Sequence, residues 1–322
     1  MSSPPDEIRI GISSCLLGER VRWDANHKRD PFLVDTVGRF VKYVPVCPEM
    51  EMGLGTPREP VRLVSAGGSD GETRLVEVHG GRDHTDAMDA WAARRIEQIA
   101  TLDLCGYILK KDSPSCGLER VRVYDKNGMP SKSGRGRFAA ALVDALPELP
   151  IEEEGRLNDP RLRENFFERV FAWRRLATFF ADRWTLGGLV DFHAREKLLL
   201  LAHHVESYRE LGRLVAGGKG KPRGELAAAY RSRFMAAMRH LATARRHVNA
   251  LQHMAGYVSE TLDAAGRKEL TDAITEFGAG LIPLVVPMTL IKHHVRRLGV
   301  DYLARQTYLD PHPKELMLRN HV

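Results

Sequence analysis

The sequence predicts an α/β N-terminal domain, a layered sandwich with a largely parallel sheet, followed by an all-α helical bundle. Two observations carry this reading. Up to about residue 150, short β-branched runs alternate with helical segments, the pattern of strands joined by crossovers. Beyond residue 165 nearly every segment repeats its apolar residues at helical spacing. Between them, residues 147–165 (PELPIEEEGRLNDPRLREN) are rich in Pro and charge and read as a linker leading into a helix. The expected domains are residues 1–155 and 156–322.

In the first domain, Ile8–Ile12 reads as a strand running into Ser13-Ser14-Cys15, and Val41–Val46 as a second running into Cys47-Pro48-Glu49. Val61–Val64 and Arg74–Val78 read as a hairpin around the Gly/Ser/Asp turn of residues 66–72. Thr85–Ala100 places Met88, Trp91, Ala92, Ile96 and Ile99 on one helical face. Asp103–Leu109 is a further strand with Cys105 inside it, ending in Lys110-Lys111-Asp112-Ser113, and Phe138–Leu146 is a helix. In the second domain the expected helices cover Phe166–Trp184, Leu189–Gly212, Gly224–Ser259 (one or two), Arg267–Phe277 and Leu284–Leu298, with a basic, glycine-rich loop at 217–224.

Charge separates the halves. Residues 1–155 hold 21 Lys and Arg against 25 Asp and Glu, and residues 156–322 hold 27 against 17. A basic domain suits a polyanion, since neutralising phosphates releases counterions; a solvated helical exterior is the bland alternative. No run resembles a membrane span or a secretory leader, so a cytoplasmic protein without a membrane partner is expected.

Of the four cysteines, Cys15, Cys47 and Cys116 each follow a predicted strand, where ligands gather in open α/β sheets. Each has Gly or Pro within a few residues, so the backbone can turn around a bulky group. Cys105 reads as a small buried hydrophobe. Three thiolates without a fourth ligand do not suit a closed structural zinc site, and no CxxC occurs. A 4Fe–4S cluster normally takes four cysteines; with three, one iron stays open for a soft sulfur donor. Three unrelated buried thiols are the alternative. Glu49, two residues from Cys47, is the candidate general acid/base. Ser113 and Ser115, flanking Pro114, are candidate contacts to the substrate ring or to the cluster, or plain turn residues. Arg22, Asp24, His27 and Lys28 could read ring edges or phosphate. Lys219, Lys221, Arg223, Arg231, Arg239, Arg245, Arg246, Lys292, Arg296 and Arg297 form the candidate phosphate-tracking set. The pairs His203-His204 and His293-His294 lack a carboxylate at metal-site spacing, so no second metal centre is expected.

Several ordered segments together resemble the bacterial thiouracil desulfidase family: Ser14-Cys15-Leu16-Leu17-Gly18, Val21-Arg22-Trp23-Asp24, Cys47-Pro48-Glu49, residues 52–60 (MGLGTPREP) and Ser113-Pro114-Ser115-Cys116-Gly117. The resemblance spans roughly residues 7–150. The basic half, through residues 197–204 (KLLLLAHH) and Tyr230–Asn249, resembles the YbgA-type domain found fused to it, and the fusion resembles the RNA-acting branch. The resemblance implies a 4Fe–4S cluster on Cys15, Cys47 and Cys116, Glu49 as proton carrier, Ser113 or Ser115 against the substrate, tRNA as partner, and hydrolytic removal of sulfur from 4-thiouridine. Two alternatives stay open: a desulfidase of free thiouracil-type bases, and a non-enzymatic RNA-binding redox or iron sensor.

Overall fold

The computed structural model describes residues 7–67, 72–181 and 183–321. The chain forms two compact units, Met1–Asn158 and Asp159–Val322. Most of the turn expected at 66–72 lies outside the described residues.

The first unit is built on a four-stranded parallel sheet. Strands β1 (Arg9–Ser13), β2 (Lys42–Val46), β5 (Gly106–Leu109) and β8 (Ile151–Glu153) lie in the order β2-β1-β5-β8. The chain departs from β1 to one side to form β2 and returns on the other side as β5, so the strand order reverses at β1. The carboxyl ends around such a reversal open a crevice. Pro45 is tolerated because β2 is an edge strand. A second sheet, in the order β4-β3-β6-β7, joins β3 (Val61–Ser65) and β4 (Thr73–Glu77) as the expected antiparallel pair. It adds β6 (Val121–Tyr124) and β7 (Pro130–Gly134).

Helix α2 (Thr85–Ala100) buries the five residues expected of it, and α3 (Arg137–Ala145) buries Phe138, Ala139 and Leu142. Phe138 meets Trp91 of α2 at 5.3 Å between ring centroids and Tyr107 of β5 at 5.9 Å, tying both helices to the sheet. The fully buried Tyr107 ring lies across β1 at Gly11, where a Cβ would come within 2.2 Å of it.

Residues 147–165 are not a linker. They contain β8, and its Glu152 and Glu153 and the following Glu154 are all buried. Three consecutive glutamates read as solvated charge; they are buried here because each has a partner. Glu152 accepts from Arg156 (2.8 Å), Glu153 from the Leu118 and Glu119 backbone N–H groups (2.6 and 3.3 Å), and Glu154 from the Lys111 N–H (2.7 Å). Cys105 lies one residue before β5, fully buried, its N–H bonded to the Arg9 carbonyl at 2.7 Å.

The second unit is helical: α4 (Pro160–Ala181), α5 (Leu186–His203), α6 (Val205–Ala216), α7 (Arg223–Met238), α8 (Ala244–Ser259), α9 (Ala264–Gly278) and α10 (Val285–Leu298). The single helix expected over 189–212 is broken at His204, which is extended (φ −156°, ψ 111°). Its imidazole caps α6 by accepting the Ser207 N–H at 3.2 Å, so the break needs neither Gly nor Pro. An aromatic core of Phe179, Phe192, Tyr230 and Phe234 fills the bundle. Among the described residues no helix is long and apolar enough to cross a membrane.

Candidate active site

The carboxyl ends of all four parallel strands face one cavity of about 730 Å³, within the range of small-molecule sites. β1 supplies Ser13, Ser14 and Cys15, the last on a 3-10 turn (Ser14–Leu17) closed by Gly18 at φ 98°. β2 supplies Cys47, which caps the short helix α1 (Pro48–Glu51) carrying Glu49. The loop after β5 supplies Lys110 to Pro114 and Cys116, and Glu154, the residue just past β8, lines the cavity too. The structure thus brings Cys15, Cys47, Cys116 and Glu49 together, along with Arg22, Lys28 and Ser113.

None of the three thiols is in a disulfide. Burial pushes the Cys15 thiol up to about 11. Burial, reinforced by the neighbouring Glu49 carboxylate, takes Cys47 up to about 12. Cys116 is raised well above the ordinary thiol range by burial first and Glu49 second. Left alone, the three are neutral near pH 7, and only a bound cation would hold them as thiolates. Among the described residues no group of three or more His, Cys, Asp and Glu could hold a single metal ion. The trio shares a chamber without closing on one point.

Glu49 is 8% exposed, and its Oε2 accepts from the Cys47 thiol at 3.5 Å and lies 3.8 Å from the Arg58 guanidinium. Arg58 is anchored by the Val21 and Gly55 carbonyls at 2.9 and 2.8 Å. A buried carboxylate beside one fixed cation has its charge compensated and its position set. On the far side, Lys110 pairs with Glu154, and the Lys110 N–H donates to Ser13 Oγ at 3.0 Å. The Ser13 hydroxyl in turn donates to Cys116, the one side-chain hydrogen bond that favours its thiolate.

Ser113 and Ser115 part company. Ser113 lines the cavity, but its hydroxyl accepts the backbone N–H groups of Ser115 and Cys116 at 3.3 and 3.0 Å, which is turn chemistry. Ser115 is fully buried, does not line the cavity, and its hydroxyl has no hydrogen-bond partner among the described residues. Its carbonyl lies where a Cβ on Gly136 would come within 2.5 Å, so glycine is what lets α3 close over the cysteine loop. Ser13, Arg58, Lys110 and Glu154 were not assigned roles from sequence. Lys110 and Glu154 carried no local signal, because their pairing depends on β5 and β8 being neighbours.

The buried Glu153 carboxylate holds the chain just beyond Cys116. Glu153→Ala is expected to lower stability by about 1–3 kcal/mol by stranding two donors, read as a lower unfolding midpoint in urea.

In the helical unit the ten basic candidates divide. Arg223 donates to the Trp184 carbonyl at 2.8 Å, Arg231 lies over Trp173 at 5.3 Å, Arg246 donates to the His203 carbonyl at 2.6 Å, and Lys292 pairs with Asp310. Lys219, Lys221, Arg239, Arg245, Arg296 and Arg297 are exposed, Arg296 bonding the Lys292 carbonyl through Nε at 3.2 Å. His203 is buried between Glu168 (3.0 Å) and the His240 carbonyl (2.7 Å).

Comparison with known proteins places both units. The 2-thiouracil desulfurase family matches residues 10–154, and a family described as protein of unknown function (DUF1722) matches residues 197–313. The chain is 32% identical to Uncharacterized protein YbgA of Escherichia coli (strain K12), over 51% of this chain and 98% of that protein. It is 33% identical to Uncharacterized protein YbbK of Bacillus subtilis (strain 168), over 47% and 98%. A solved structure described as a 4Fe-4S-dependent thiouracil desulfidase, TudS, is 28% identical over 48% of this chain and 95% of that one, with a TM-score of 0.39. The chain therefore belongs to the 2-thiouracil desulfurase family through its first unit and carries a DUF1722 domain of the YbgA type in its second.

Proposed function

We propose that this protein is a desulfidase that converts 4-thiouridine in tRNA to uridine, with a 4Fe–4S cluster held by Cys15, Cys47 and Cys116. The observation that carries the reading is the convergence of these three thiols, from the ends of three neighbouring parallel strands, on one cavity that also contains Glu49. The donor set fits the cofactor: three soft sulfur ligands line one chamber. When bound with three protein thiolates, such a cluster supplies one open, thiophilic, Lewis-acidic iron position.

The chain's own residues supply the rest. Glu49, held by Arg58, takes a proton from the attacking water. Ser13 steadies Cys116 through its hydroxyl, and Lys110 fixes Ser13 from behind. Ser113 shapes the cysteine loop from the cavity wall. The balance is that of hydrolysis: C=S plus water gives C=O plus hydrogen sulfide, with no net electron transfer. The exposed Lys219, Lys221, Arg239, Arg245, Arg296 and Arg297 would contact RNA phosphates. A second reading, action on free thiouracil-type bases, is favoured by one fact: the cavity is lined by residues of the first unit alone.

The test is anaerobic loading of the full chain with iron and sulfide, followed by incubation with thiolated tRNA and with free 4-thiouracil. Loss of the near-ultraviolet thiouridine absorbance with release of sulfide is expected from tRNA. Turnover of the free base alone would favour the second reading, and no sulfide from either would end both. Cys15→Ala, Cys47→Ala and Cys116→Ala are each expected to lose the bound iron and the visible absorption, read by iron content and spectrum.

A further inference from the structure

We infer that the mouth of the cavity is a subsite for the nucleotides flanking the reacting base in a single-stranded stretch of RNA, with Trp23 as the stacking platform and Lys28 and Lys111 as phosphate contacts. The inference rests on thiolated RNA being the substrate and locates on the first unit a contact additional to the basic residues of the second.

Residues that line the cavity yet remain exposed mark its mouth: Trp23, Lys28, Arg29, Pro31, Lys111, Asp112 and Asn158. Trp23 is 47% exposed, a large apolar ring left in water at the entrance of a polar site. Its loop is tightly held. The Ala25 N–H donates to the Arg22 carbonyl (2.9 Å), the Arg22 N–H to Asn26 (3.2 Å), and the Arg58 N–H to the Trp23 carbonyl (2.9 Å). Thr56 Oγ1 donates to the Arg22 carbonyl at 2.7 Å. The indole therefore stands on a fixed ledge, which lowers the ordering cost of stacking.

The ring that reacts and the ring that meets Trp23 are different rings. The reacting ring must approach Cys15 and Cys116, which are 8% and 4% exposed, at the floor. Trp23 is at the solvent edge. What it can meet is a neighbour of the reacting base, and stacking tolerates any base because every base has a π-face.

The charges favour a polyanion. Arg22, Lys28, Arg29, Arg58, Lys110 and Lys111 line the cavity against Asp30, Glu49, Asp112 and Glu154. Arg29 pairs with Asp35, Arg58 with Glu49, Lys110 with Glu154, and Arg22 lies near Asp24. Lys28 and Lys111 have no ion pair among the described residues, and both are exposed. The stem of Lys111 packs over Gly155, where a Cβ would come within 2.3 Å of its Cδ. Asp112, exposed beside Lys111, is the one carboxylate at the mouth.

The test uses the full chain and a short single-stranded oligoribonucleotide containing one 4-thiouridine, with affinity followed by fluorescence anisotropy over a range of salt. Trp23→Ala is expected to weaken binding roughly ten-fold or more, with Trp23→Phe restoring most of it. Lys28→Ala and Lys111→Ala are each expected to lower the slope of log affinity against log salt by about 0.7. On the loaded enzyme, Trp23→Ala should lower the ratio of kcat/KM for the oligonucleotide to kcat/KM for free 4-thiouracil. Unchanged affinity in variants that retain their circular dichroism would overturn the subsite. An equal loss on both substrates would place Trp23 on the reacting ring and overturn the flanking role. Wild-type turnover of 4-thiouracil with tight but unproductive oligonucleotide binding would instead overturn the substrate reading, leaving the affinity and salt data to judge the subsite on their own.

Discussion

Glu49→Gln is expected to keep its iron and lose turnover by about 10²- to 10⁴-fold, the range for removing a positioned general base. The substitution preserves size and keeps a carbonyl oxygen facing Arg58, the ion-pair partner 3.8 Å away in the native protein. It removes the capacity to take a proton from water. Because Glu49 touches Cys47 at 3.5 Å, a purely structural role predicts a different result. The iron would fall with the activity. Iron content and turnover measured on one anaerobic preparation separate the two, and iron lost in proportion to rate would overturn the assignment. Glu49→Ala is the harsher companion, since it also leaves Arg58 buried without its carboxylate.

Arg319→Ala is expected to destabilise the helical unit by about 3–5 kcal/mol, the cost of leaving buried charge unpaired. Arg319 is 6% exposed and reaches Glu164 at 3.1 Å, Glu168 at 2.5 Å and the Tyr308 carbonyl at 2.7 Å. Burial alone would raise the Glu168 carboxyl; the guanidinium and His203 override it and hold the group well below the ordinary carboxylate range. A depressed folded value stabilises the protein above the unfolded pKa, about 4.3 for Glu, and that contribution fades as pH falls below it. In the variant Glu168 can escape its burial penalty by taking a proton. The difference in urea midpoint between wild type and Arg319→Ala should therefore be largest near pH 7 and narrow toward pH 4. A difference independent of pH would mean that lost packing, rather than unpaired charge, sets the cost.

Much of the architecture was legible because it follows from local patterns. β1, β2 and α2 occur where β-branched runs and helical spacing put them, and the three cysteines stand at strand ends as expected. What was not legible depends on long-range pairing. β8 is disguised by three glutamates whose burial makes sense only once Arg156, the loop after Cys116 and Lys110 surround them. The break at His204 is hidden because a histidine does the work usually given to Ser, Thr, Asp or Asn. Arg58 was visible as a letter within MGLGTPREP, but its role beside Glu49 arises from the loop geometry that brings the two together. Among the basic residues, sequence supplies the types but not the contacts that Arg223, Arg231, Arg246 and Lys292 make within their unit, Arg223 while still exposed.

The distribution of the thiols over three strand ends imposes a schedule on biosynthesis. A nascent chain presents Cys15 and Cys47 long before Cys116, and the glutamates of β8 that brace the last loop emerge later still. On the proposed ligation, no short peptide segment could capture the cluster, in contrast to a zinc finger, whose metal nucleates its fold; loading is therefore expected to follow closure of the sheet.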